Sequence, residues 1–163
     1  MQFFQGGSIQ KEENLLQFVI FQVDSQNFAL EIKRVKEILP RRKITVLPKA
    51  PAFLEGMIEL RGSLIPVIDL RKRWGVSEIR NDSATRIIVL RVRKKKVGLI
   101  VDSVQRVLSV PIEDIDVPPD MTRSRGSEYI LAVAKHQGEL YLILDVDRLL
   151  STEERTSLDE VKS

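Results

Sequence analysis

The chain has 163 residues, the length of one domain or of two small lobes that share a core. Apolar residues make up 43% and charged ones 30%, an ordinary globular balance, and 26 Lys and Arg against 23 Asp and Glu leave a net charge of +3. Without cysteine and with one histidine, His136, the chain excludes thiolate catalysis, disulfides and Cys- or His-rich metal sites, and a Ser/His/Asp arrangement would hang on that one residue.

Residues 1–14 carry "GGSIQKEEN", read as a mobile tail, and lack the basic, then apolar, then small-residue order of a signal peptide. No apolar run in the chain approaches the roughly 20 residues of a spanning helix, so a cytoplasmic location is expected. "LQFVIFQV" (16–23) is β-branched and aromatic enough to predict a strand, and a polar turn follows at Asp24–Asn27. In "FALEIKRVKEI" (28–38) the apolar spacing stretches to Ile32, Val35 and Ile38, as in a helical turn or a strongly coiled strand. A connection with Pro40, Pro48 and Pro51 leads to "FLEGMIELRGSLIPVIDL" (53–70), a hairpin turning at Gly62. Gly as the first of two central residues predicts a type II′ turn.

The same grammar then recurs. "TRIIVLRV" (85–92) lies over 16–23 at an offset of 69, and "VGLIVDSVQRV" (97–107) lies over 28–38 at the same offset. After the turn Arg93–Lys96 and a longer connection with Pro111, Pro118 and Pro119, "YILAVAKHQGELYLILDV" (129–146) lies over 53–70 at an offset of 76. Gly138 then falls on Gly62 and Asp145 on Asp69. Short strands with frequent turn signals predict an all-β fold. Neither copy alone is long enough for a comfortable core, so two small barrels packed on each other are expected. In the last stretch, 151–163, Ser151 followed by Glu154 is a capping box and predicts a short C-terminal helix.

Enzyme chemistry finds little support in the residues. Glu113, Asp114, Asp116 and Asp120 lie among prolines, where a solvated loop outweighs a metal cluster. Asp69 and Asp145 follow apolar runs at matching points and read as turn caps, and His136 reads as a surface residue. There is no P-loop, dinucleotide fingerprint or nucleophile elbow, so no catalytic residue, metal or cofactor is assigned. Three basic clusters, Lys33/Arg34/Lys36, Arg41/Arg42/Lys43 and Arg91/Arg93/Lys94/Lys95/Lys96, raise nucleic-acid binding as an alternative. Few aromatics interleave them, and the last also reads as a solvated turn whose lysines protect a sheet edge. The copies differ in one informative way. Glu37, Glu59 and Arg61 of the first meet Arg106, Lys135 and Gln137 of the second, beside an exposed-looking Val35. From pattern alone these are ordinary surface charges as readily as a binding signature, since exposed hairpin tips are commonly charged.

The ordered series "FALEIKRVKEIL", "TVLPKAP", "FLEGMIELRGSLIPVIDLRKRWG", "VGLIVDSVQRVLSVP" and "YILAVAKHQGELYLILDVDRLL" resembles the CheW family of bacterial chemotaxis coupling proteins over about residues 15 to 150. The resemblance implies a single CheW-like domain of two five-stranded, SH3-like barrels side by side, about 16–82 and 83–150, with strand exchange between them allowed. It implies a non-catalytic adaptor, without cofactor, that ties chemoreceptors to the histidine kinase CheA at membrane-associated arrays. Carried over position by position, Val35, Glu37, Gly56 and Arg61 are the implied receptor-binding residues. Asp120 and Met121 are the implied kinase-binding ones, with Arg86 and Ile87 at a second kinase interface. The family's "N-L-R-G" tip places its arginine on Arg61, with Gly62 following, but Glu59 stands at the usual asparagine position. A coupling protein of another chemosensory-type pathway, such as surface motility, is the alternative within the class. A basic β-barrel that binds nucleic acid is the alternative outside it.

Overall fold

The computed structural model describes residues 14–117, 129–150 and 154. The tail expected before residue 14, the positions Asp120 and Met121, and most of the helix expected over 151–163 lie outside them. The first copy supplies β1 (Leu15–Val23), β2 (Gln26–Glu31), β3 (Val35–Pro40), β4 (Gly56–Leu60), β5 (Ser63–Asp69) and the helical turn α1 (Leu70–Arg73). The stretched spacing after Ile32 is a single 3₁₀ turn, Ile32–Arg34, between β2 and β3. The second copy supplies β6 (Arg86–Val92), β7 (Lys95–Val101), β8 (Ser103–Pro111), β9 (Ile115–Asp116), β10 (Ile130–His136), β11 (Glu139–Leu144) and a 3₁₀ turn at Val146–Arg148.

The strands form two sheets that do not divide at residue 82. One has the order β8-β1-β2-β11-β10-β9 and the other β3-β6-β7-β5-β4. Each copy's opening hairpin, β1–β2 or β6–β7, is thus inserted into the other copy's sheet. Apart from the two-residue β9, the sheets have the same order, and their registers repeat at the offsets read from the sequence. Phe18 faces Leu108 where Ile87 faces Leu39, and the parallel pair Ile143 with Ala29 matches Val67 with Gly98. Even the irregularity recurs: β3 bulges between Val35 and Glu37, and β8 skips from Val104 to Arg106 against Ile20 and Phe21.

Alternation sends successive side chains to opposite faces, and both faces of each sheet are covered. One face of the six-stranded sheet buries Phe18, Ile20, Val110, Tyr141 and Ile143. One face of the five-stranded sheet buries Leu39, Ile58, Ile65, Val67, Ile87 and Val89. The remaining faces meet in a third, shared core where Phe21, Phe28 and Leu30 pack with Ile68, Trp74, Ile88, Leu90 and Leu99. Phe28 stacks 5.6 Å from Phe21 and lies 4.7 Å from Trp74, centroid to centroid. Such aromatic pairs contribute about 0.5–1.5 kcal/mol beyond their buried area.

The hairpin turns differ from the expected type. Leu60 pairs with Ser63, so Arg61 and Gly62 are the central residues, with φ of +52° and +83°. Gln137 and Gly138 do the same, at +49° and +80°. Positive φ at both positions makes these type I′ turns, whose twist matches the strands they join, with glycine second rather than first. An arginine is thereby held in the left-handed region, which branched and long side chains seldom occupy.

Candidate functional site

The type I′ turn aims Arg61 back across the mouth of the five-stranded sheet. Its Nη1 and Nη2 donate to Glu37 Oε1 and Oε2, both at 2.8 Å. Glu37 lies on β3 at one end of the strand order, while Arg61 caps β4 and β5 at the other. The two-pronged pair therefore clasps opposite margins of the sheet and closes that barrel's end. The Arg61 hydrogen bond holds the Glu37 carboxyl below its usual range, with the charges of Arg42 and Lys96 adding to the effect. Glu37 in turn holds the guanidinium charged. The clasp uses two of the five N–H donors of Arg61, and the side chain remains 71% exposed, so three donors are left for a partner.

Around this fork the surface is mixed. Val35 is half-buried against the shared core, while Ile38 and, beside the turn, Leu64 are exposed. Glu59, opposite Leu64, is also exposed. In the second barrel the equivalent tip, Gln137, makes no such clasp. Arg106, at the place of Glu37, donates instead to the Tyr141 hydroxyl at 2.9 Å.

Gly56 is buried, so it shapes the surface rather than forming it. With φ at +155°, a Cβ there would lie 2.5 Å from the Thr45 carbonyl oxygen and 2.6 Å from Ile44 Cγ2. The absence of a side chain lets the segment before β4 pair back on it, through Thr45 and Met57. Ile87 sits beneath the surface rather than on it. Its side chain is 1% exposed in the barrel core, at the start of the continuous buried run Ile87, Ile88, Val89 and Leu90 of β6. Arg86 is half-buried and donates to the Ser83 and Thr85 carbonyls.

One polar centre escaped the sequence reading. Arg71 of α1 is buried, with Nε and Nη2 on Asp69 at 3.0 Å each. Its Nη1 donates to the Arg80 carbonyl and to Asp102, and its Nη2 also to Asn81. All five donors are satisfied, and Asp102 in turn accepts from the Asp24 amide in the β1–β2 turn. Burial alone would lower the pKa of Arg71, but Asp69 and Asp102 outweigh it and raise it. Asp69 also caps α1 through the Arg71 amide, as Asp145 caps the turn after β11 through the Asp147 amide. The spacing "DLR" was the available signal: a capping aspartate two residues before an arginine. Beside this centre lies a cleft of about 490 Å³ rimmed by Arg41, Arg42 and Lys43 and floored by Ile87 and Ile100. Among the described residues no three His, Asp or Glu side chains gather to hold a metal.

The arrangement matches known proteins over nearly its full length. The family model of the CheW-like domain matches residues 17–154. The chain belongs to the CheW family. Chemotaxis protein CheW of Treponema pallidum is 37% identical over 147 residues, covering 87% of this chain and 86% of that protein. Its counterpart in Klebsiella aerogenes is 31% identical, over 89% and 87% respectively. The crystal structure of the scaffolding protein TtCheW from Thermoanaerobacter tengcongensis superposes with a TM-score of 0.73 at 34% identity, over 79% of this chain and 88% of that one. A CheW fold with this coverage makes the chain a chemotaxis coupling adaptor of the scaffold type.

Proposed function

We propose that this CheW-family protein is a non-catalytic scaffold that joins the cytoplasmic tip of chemoreceptors to the regulatory domain of the kinase CheA, in the cytoplasm at membrane-associated arrays. The observation that carries the reading is an asymmetry within a duplication. Both barrels share strand order, register and turn type, yet only the first holds an arginine fork across its mouth. Arg61 and Gln137 hold the same positive φ, so the turn does not account for the difference between the two tips, and the fork on Glu37 is what sets the first apart. The receptor face is Arg61 and Glu37 with the apolar flank of Val35, and Gly56 supports it from beneath. Kinase contacts fall to Arg86 and to Asp120 and Met121, the latter pair carried over from the family alone. Two modest interfaces on one body couple receptor state to kinase state.

The test compares Arg61→Ala with Gln137→Ala, the equivalent tip. Association with a chemoreceptor cytoplasmic fragment is expected to weaken about tenfold or more for Arg61→Ala and to stay unchanged for Gln137→Ala. Equal binding by both variants would sink the assignment. So would a loss for Arg61→Ala that follows its melting temperature, since the fork would then be only an internal clasp.

A further inference from the structure

The β6–β7 hairpin and its neighbour β3 gather several cations that make no ion pair among the described residues. Arg91 pairs with Lys96 across the hairpin, and Arg93 and Lys94 form its tip. Lys36 lies beside them on β3, which pairs with β6. The corner before β3 is tied to the hairpin through Arg34, which donates to the Arg91 carbonyl at 3.1 Å and pairs with Asp147. Lys36, Arg91, Arg93, Lys94 and Lys96 are all exposed, and none makes an ion pair among the described residues. Five cations without an ion pair among the described residues exceed in number the whole chain's net charge of +3. Edge protection explains a lysine or two on a strand, but β6 and β7 are interior strands of their sheet.

The duplication again supplies an internal comparison. The matching hairpin, β1–β2, turns at Asp24 and Ser25, so the cationic tip is confined to the sheet that holds the Arg61 fork. The two features adjoin, since Glu37 lies on β3, which pairs with β6 of the hairpin through Val35 with Leu90 and Glu37 with Val89. Exposed aliphatics, Ile32 in the 3₁₀ turn and Ile38 on β3, flank Lys36 in the chain. No aromatic side chain is exposed among the described residues, so nothing offers bases a stacking surface.

We infer that the receptor-facing surface extends onto this hairpin and docks an acidic, aliphatic-rich protein segment of the same partner. The inference rests on the receptor reading of Arg61 and adds to it the chemistry of the partner: carboxylates set against Lys36, Arg91, Arg93, Lys94 and Lys96. Exposed charges of this kind act mainly on encounter and are screened over roughly 8–10 Å at physiological salt.

The experiment titrates the full chain with a chemoreceptor cytoplasmic fragment at low and high salt. It compares wild type, Arg61→Ala, Lys94→Glu/Lys96→Glu and the neutral Lys94→Gln/Lys96→Gln. The charge reversal is expected to weaken binding about tenfold or more at low salt and much less at high salt, with the neutral variant in between and all melting curves alike. If Arg61→Ala weakens binding while the reversal leaves it unchanged, the hairpin extension is wrong and the receptor reading stands. If neither changes it, both are wrong. A random 20-base-pair duplex or phosphatidylglycerol vesicles, bound more tightly than the fragment and lost in the reversal, would also overturn the inference.

Discussion

Arg71→Met tests whether the buried polar centre holds the exchanged halves together. The substitution keeps the apolar stem and removes the guanidinium, leaving Asp69, only 4% exposed, with no counter-charge. It also deprives Asn81, Asp102 and the Arg80 carbonyl of a donor each. The cap of α1 survives, because Asp69 accepts there from the Arg71 backbone amide at 3.0 Å. Breaking a buried pair from one side costs about 3–5 kcal/mol, against a total stability of about 5–15 kcal/mol for a typical domain. At about 2–4 °C per kcal/mol for a protein of this size, the melting temperature should fall by roughly 6–20 °C.

Arg34→Met is the calibrating control. It breaks the pair with Asp147, whose side chains are 29% and 52% exposed, so solvent screening limits the loss to about 1 kcal/mol or less. The double variant Asp69→Asn/Arg71→Met removes both buried charges and should recover part of the deficit. Circular-dichroism melts and urea titrations of the three variants decide the matter. A deficit for Arg71→Met no larger than that for Arg34→Met would refute the reasoning, because it would mean that water serves the centre as well as the guanidinium does.

Gly56→Ala should destabilise by more than about 1 kcal/mol, since the new Cβ meets backbone at 2.5 Å in a strained φ, and it should exceed the loss for Gly138→Ala, where nothing lies within 4 Å; melts of the two variants rank them. Arg61→Asn should keep or improve the turn's stability, because asparagine accepts positive φ, yet lose receptor-fragment binding as fully as Arg61→Ala; thermal melts beside binding titrations test the split. Because the Arg61 hydrogen bond depresses the Glu37 pKa in the fold, the pair's stabilisation is present above the ordinary carboxylate range and fades as pH falls through the lowered value. In Arg61→Ala the Glu37 carboxyl should therefore titrate at higher pH by NMR, and an unmoved midpoint would contradict the clasp.

Apolar order carried the duplication, and the offsets of 69 and 76 residues recur in the pairing of Phe18 with Leu108 and of Ile87 with Leu39. The exchange of hairpins was less legible, because alternation tells which face a residue takes and not which strand lies beside it. Turn type was misread by one residue. "LRGS" fits a two-residue turn with glycine first or second, and only the pairing of Leu60 with Ser63 decides. Ile87 was readable as buried from the continuous apolar run in "RIIVLRV", the mark of a strand covered on both faces, but the resemblance carried it over together with its neighbour Arg86. Arg71 was hidden because its partners, Asp102 and residues 80–81, converge only in three dimensions.

The exchange bears on how such a scaffold could transmit anything. The β6–β7 hairpin presents the cationic tip in the five-stranded sheet, yet its chain runs directly into β8 at the margin of the other sheet, through Asp102. Asp102 touches both Arg71 and the Asp24 amide, so the β5–α1 corner, the β7–β8 junction and the β1–β2 turn share one hydrogen-bonded centre. The shared core places Phe28 of one sheet against Trp74, which follows β5 of the other through α1. A force applied at the Arg61 rim therefore cannot tilt one barrel without opening either this centre or a close-packed aromatic contact, and close-packed interiors deform little. The two sheets are thus tied into one packed unit by this polar centre and by the shared core.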